Sequence, residues 1–112
     1  MSESGAARVF AALGDATRRD MVERLSERPM SVSALAVPYA MTLTAVGQHL
    51  AILEAAGLVV TRKQGRVRTC QAAKAGLEVL AGWLAARRPP LERDLDRLGD
   101  LLDGDDSASG SG

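Results

Sequence analysis

Aromatic side chains are almost missing, with Phe10, Tyr39 and Trp83 the only three among 112 residues. Ala, Leu and Val must fill the core, which favours thin layers of closely packed helices. One cysteine, Cys70, excludes an internal disulfide framework and agrees with a reducing cytosol. One histidine, His49, leaves little for acid–base chemistry. No nucleophile–base pair, carboxylate cluster or glycine-rich phosphate loop accompanies it, so no catalytic residue is assigned and an enzyme is not the reading. No run approaches the ~20 apolar residues of a membrane span. The opening Met-Ser-Glu-Ser-Gly offers neither a basic n-region nor an apolar stretch. The expectation is a cytoplasmic protein with no membrane partner.

Net charge is also absent: 14 basic residues balance 14 acidic ones. The balance hides a division. Twelve basic and seven acidic residues lie between Met1 and Arg88, whereas two basic and seven acidic lie beyond. The body can face a polyanion that the tail would repel. The length fits one domain with a short appendage.

Hydrophobic spacing predicts a short helix over Ala6–Leu13, then a second helix capped by Asp15 or Thr17 and running to about Glu27. Arg28-Pro29 closes it, because the residue before proline is biased away from helix. Ser31 is an N-cap for a short helix through Val37, stopped by Pro38. Thr42 caps a longer helix to Ala56, and Gly57 supplies its left-handed stop. Short helix, turn and longer helix make a helix-turn-helix. Two β-rich runs follow, Leu58–Arg62 and Val67–Gln71, with Gly65 in the basic loop between them; these read as a hairpin.

Helical spacing resumes at Ala73 with Leu77, Leu80, Ala81 and Leu84, and Pro89-Pro90 is expected to break it. Pro90 suits the first turn of a sixth helix, whose stripe is Leu91, Leu95, Leu98 and Leu102. The fold class is therefore mainly α with a small β-hairpin, in the order helix, helix, helix, helix, hairpin, helix, helix. The expected divisions are a winged helix-turn-helix DNA-binding domain over 1–88, a terminal helix over 89–103 and a disordered tail over 104–112.

On the helix after Thr42, Val46, Leu50 and Leu53 form the buried stripe, and Thr44, Gln48 and Ala51 face away. That outer arc is small and uncharged. It can enter a major groove, where Gln48 can bond an adenine edge and the Thr42 and Thr44 hydroxyls can reach bases or phosphates. An ordinary solvent-facing helix would look the same. His49 sits at the margin of the apolar stripe, where a packed histidine is commoner than a metal ligand. The hairpin discriminates: Arg62, Lys63, Arg66 and Arg68 surround Gly65, with no acidic residue between Glu54 and Glu78. Such cations are what phosphate contacts require.

The segments Phe10–Arg19, Ser31–Ala36, Thr42–Leu50 and Leu53–Val59 resemble the ArsR (arsenical-resistance repressor) family of winged-helix regulators, over roughly Val9 to Gln71. The resemblance implies a homodimeric bacterial repressor of transcription bound to double-stranded DNA, with autorepression of its own operon as one mode of control. It implies recognition-helix contacts by Thr42, Thr44, Ala45, Gln48 and His49, and wing contacts by Arg62, Lys63, Arg66 and Arg68. Terminal helices build such dimers, which makes Phe10, Trp83, Leu91, Leu95, Leu98 and Leu102 the interface candidates. A serine common in the family is Gly47 here. The metal-sensing members carry Cys-x-Cys before the recognition helix, or His and acidic ligands at the C-terminal end. Ser33–Val37 has neither thiol nor imidazole, so the resemblance points to the branch without metal, with no cofactor and an inducing ligand or partner still to be identified. Cys70 invites a redox role against the plainer reading of a half-buried strand residue. The alternative function is a winged-helix module for protein contacts without DNA binding.

Overall fold

Three of the helices begin on short polar side chains that accept backbone N–H groups left open by the first turn. The computed structural model describes residues 5–104, with side chains described as far as Leu102. Helix α1 covers Gly5–Leu13 and α2 covers Ala16–Glu27, the latter capped by Asp15, which accepts from the Arg18 N–H at 3.1 Å. Ser31 caps α3, Val32–Ala36, and Thr42 caps α4, Leu43–Ala55, each accepting at 3.1 Å from the residue three positions on.

Helix α4 ends in a two-bond left-handed motif. Leu58 N–H donates to Leu53 O at 2.9 Å, and Gly57 N–H to Glu54 O at 3.0 Å, with Gly57 at φ 75°. Leu53 and Leu58, the apolar pair that accompanies such a stop, are both fully buried. The chain thereby leaves the helix already aimed into the sheet.

That sheet has three strands rather than the expected two. Strands β1 (Met30–Ser31), β2 (Val59–Gln64) and β3 (Val67–Ala72) are antiparallel in the order β1-β3-β2. Proline holds Arg28 extended, at φ −169° and ψ 154°, and the two residues after Pro29 continue along the open edge of β3. Met30 pairs with Cys70 and Ser31 with Thr69. The core joins Met21, Val22 and Leu25 of α2 to Val46, Leu50 and Leu53 of α4, with Val9, Leu35, Leu58, Val59 and Cys70 around them. Among the described residues no polar or charged side chain is buried there.

Helix α5 corrects the expected break at Pro89-Pro90. It runs over Lys74–Gly104 with both prolines inside, so the described chain has five helices rather than six. Two consecutive prolines remove two backbone donors, but good helix formers flank them on both sides. An Arg88–Glu92 ion pair at 3.4 Å also spans the interruption, though its exposure keeps its contribution small. The chain divides within this helix into two compact units, one ending at Leu80 and the other beginning at Ala81. Of the expected disordered tail, everything from residue 105 onward lies outside the described residues. No described helix is long and apolar enough to cross a membrane.

Early in α5, Gly76 lies against the turn that ends α4. Its N–H donates to Gly57 O at 2.7 Å, and a methyl group placed on it would stand 2.5 Å from Ala56 O. Backbone packed this closely leaves room for glycine alone.

Candidate nucleic-acid interface

The outer face of α4 consists of side chains with no charge and little bulk. Thr44, Gln48 and Ala51 are exposed, while Val46, Leu50 and Leu53 anchor the opposite face without any accessible surface. Gln48 thus projects from a helix whose position is fixed by the core. The Thr42 hydroxyl already accepts one bond as the helix cap, which leaves its hydrogen and one lone pair to offer. Ala45, half-buried, contributes a methyl group at the margin.

His49 has a partner that sequence reasoning missed. Arg18 Nη1 lies 3.2 Å from His49 Nδ1. A guanidinium has only donors, so Nδ1 accepts and the ring hydrogen sits on Nε2. Arg18 also donates through Nε to Ala12 O at 2.7 Å and through Nη2 to Ala11 O at 3.3 Å. These carbonyls belong to the last turn of α1, beyond which the helical ladder stops; Ala11 O also accepts from Gly14 N–H at 3.2 Å. One side chain therefore fastens the end of α1, the start of α2 and the middle of α4. The Arg18 backbone N–H holds the Asp15 carboxyl below its ordinary value; burial opposes this, and the Arg18 charge reinforces it. The Asp15-Ala-Thr-Arg18 run announces a capped helix, but nothing local says that the arginine reaches back six residues and across to another helix.

Two further ties set the helix-turn-helix. Arg24 Nη1 donates to Leu35 O at 2.7 Å with its guanidinium 5.3 Å from the Tyr39 ring centre, and the Tyr39 hydroxyl donates to Asp20 at 2.6 Å. The turn before α4 is thereby held on α2. At the other end of α4, Glu54 Oε2 accepts from Thr61 N–H at 3.2 Å and from the Thr61 hydroxyl at 2.9 Å, joining this helix to the base of the hairpin.

The hairpin closes through Gly65-Arg66, with Gly65 at φ 62°, the positive value that the first loop residue of a tight two-residue hairpin turn requires. Arg62, Lys63, Arg66 and Arg68 are all exposed. Lys63 and Arg68 stand directly opposite each other, a like-charge pair that destabilises a sheet. Arg62 pairs with Thr69 and so lies on the other face of the ribbon. The four cations surround the wing; they do not line one side of it.

Cys70 is fully buried, which favours the plainer structural reading over a redox role. Burial pushes its thiol above the ordinary value, partly offset by Arg68. The neutral thiol's contribution to stability is complete below the unfolded pKa of about 8.5 and is lost as pH rises through the folded value. Gly47 is the reverse of Gly76, since a methyl group there meets nothing within 4 Å. Gly47→Ala should therefore stabilise the fold by about 0.5–1 kcal/mol, read as a higher urea midpoint.

Of the interface candidates, Phe10 is 43% exposed on α1. In the unit that begins at Ala81, Leu91, Leu95, Leu98 and Leu102 are each at least half exposed. Arg87 covers the half-buried Trp83 ring at 4.2 Å. Leu84, Leu91 and Leu98 recur every seven residues on one continuous helix, with Leu95 and Leu102 beside them, a seam of the coiled-coil kind. Among the described residues no group of three His, Cys, Asp or Glu side chains is placed to hold a metal.

A helix-turn-helix domain family matches residues 13–62 of the chain. The HTH-type transcriptional regulator Rv2034 of Mycobacterium tuberculosis is 42% identical over 73 residues, 65% of this chain and 68% of that protein. The crystal structure of the ArsR family transcriptional regulator RHA00566 superposes with a TM-score of 0.75 at 39% identity, covering 82% of this chain and 97% of that one. The homodimeric winged helix-turn-helix DNA-binding domain Mb0332 of Mycobacterium bovis superposes with a TM-score of 0.59 at 26% identity, covering 83% of each chain.

Proposed function

The chain belongs to the ArsR family of winged helix-turn-helix transcriptional regulators, and we propose on that premise that it is a homodimeric repressor of an inverted-repeat operator. The observation that carries this reading is the neighbourhood of two surfaces. The uncharged outer face of α4 is tied through Glu54 and Thr61 to a hairpin bearing four exposed cations and no acidic residue. Phosphate contacts from the wing supply affinity and orientation, while Gln48 and Thr44 read base edges. His49 contributes through Nε2 alone, since Arg18 takes its other nitrogen.

The homodimer of the Mycobacterium bovis domain supports the same assembly here. The exposed leucines of α5 supply its seam, with Phe10 and Trp83 as further contacts. Two copies bring two recognition helices to grooves about one turn apart, ~34 Å. Light scattering at micromolar concentration should give the mass of two chains, and Leu95→Asp that of one. The repressor works in the cytoplasm and represses its own operon, and its control does not depend on a metal. We assign it no catalytic activity.

Gln48→Ala tests the assignment of the reader. It should lower affinity for the operator by about 1–3 kcal/mol and leave binding to random DNA unchanged. Equal losses on both would contradict the role given to Gln48. Operator binding that ignores salt would favour a protein-contact module instead.

A further inference from the structure

A hollow of about 410 Å³ opens between α1 and α4, floored by Ala11, Ala12, Ala55 and Ala56 and flanked by Arg8 and Ile52. A smaller hollow of about 180 Å³ adjoins it, sharing Arg8, Ala55 and Ala56. Among the described residues the combined wall carries no carboxylate. Arg18, at its inner edge, already donates to Ala11, Ala12 and His49 and pairs with Asp15. Arg8 differs: it is exposed, borders both hollows, and its guanidinium makes no hydrogen bond or ion pair with any described residue.

We propose that this groove binds a small amphipathic carboxylate, its apolar body on the alanine floor and its carboxylate on Arg8, and that occupancy releases DNA. The larger hollow falls within the size range of small-molecule sites, which are mostly apolar with a few placed polar groups. A planar guanidinium with free donors matches a carboxylate in a way that an ammonium does not. A second copy of the chain fits this groove poorly. Phe10 leaves α1 about 200° around the helix from Arg8, and among the described residues Ile52 and Val79 are the only large apolar side chains there, with no aromatic anchor for a partner.

The groove also has a route to function. Ile52 stands one turn beyond Gln48 on α4, and α1 forms the opposite wall. Arg18 spans the same two helices through the Ala11 and Ala12 carbonyls and His49. A ligand that binds better when α1 and α4 stand apart shifts the recognition helix by its difference in affinity for the two states. This second half rests on the repressor reading above; the binding half does not.

The experiment is isothermal titration of the full chain with decanoate, kept below its micellar concentration, and with decanol as the uncharged control. Decanoate should bind saturably at one site per chain, at least about tenfold tighter than decanol, as expected of one charge-assisted hydrogen bond. Arg8→Gln should remove that advantage while leaving decanol unchanged. Ala55→Leu, which fills the floor, should weaken both ligands about tenfold or more, with the melting temperature and light-scattering mass of the wild type. Non-saturable binding, equal affinity of wild type and Arg8→Gln, or an Ala55→Leu protein that becomes monomeric would overturn the site. In a parallel arm, decanoate should release labelled operator from the wild type and not from Arg8→Gln. Binding without release overturns the regulatory half alone, and failure of the apoprotein to bind operator counts against the repressor reading while leaving the site intact.

Discussion

Gly76→Ala is expected to destabilise the winged-helix unit by about 3 kcal/mol, a large share of the roughly 5–15 kcal/mol that holds a domain folded. The added methyl group would stand 2.5 Å from Ala56 O and 3.0 Å from the carbonyl carbon and oxygen of Gly57. All three are backbone atoms, so no rotamer change relieves the clash. Retreat is also closed. Gly57 is in the left-handed conformation that terminates α4, with its own hydrogen bond and that of Leu58 fixing the turn. Moving α5 away would break the 2.7 Å bond from Gly76 N–H to Gly57 O. Urea unfolding followed by circular dichroism measures the effect, with Gly82→Ala as control because a methyl group there meets nothing within 4 Å. A midpoint change for Gly76→Ala no larger than that of the control would mean that α5 and the α4 turn do not approach as described.

Replacing Arg62, Lys63, Arg66 and Arg68 together by glutamine is expected to abolish most DNA affinity while leaving the fold intact. Each phosphate that is no longer neutralised reduces the slope of log affinity against log salt by about 0.9, so up to roughly three or four units disappear per protomer. At low salt this amounts to a loss of about 100-fold or more. Stability should move the other way or not at all. Lys63 and Arg68 repel across the ribbon, and removing a directly opposed like pair relieves a few tenths of a kcal/mol. Fluorescence anisotropy over a salt series measures the slope, and thermal melting measures the fold. An unchanged slope would remove the wing from the interface.

The elements that could be read directly from the chain are those with a local physical signature. Asp15, Ser31 and Thr42 precede helices and cap them; Gly57 follows one and stops it; Gly65 turns the hairpin. The stripe of Val46, Leu50 and Leu53 identified the buried face of α4, and so its outer face. What escaped depends on partners distant in sequence. Strand β1 has two residues, too few for any period, and exists because β3 offers an edge and Pro29 holds the approach extended. The persistence of α5 through Pro89-Pro90 reflects the helix formers on both sides, which a rule about single prolines does not weigh. Arg18 looked like any polar residue on the exposed side of α2; only three-dimensional proximity makes it the link among α1, α2 and α4. The Cys70 position was legible as a strand residue, but its full burial follows from the third strand.

The most direct test is footprinting of the protein on the DNA upstream of its own operon. The reading of α4 and the wing as a dimeric DNA-binding surface predicts two protected patches related by a two-fold axis and about one helical turn apart, ~34 Å, both disappearing as salt rises. Uniform cleavage at every protein concentration, or protection that survives high salt, would contradict it.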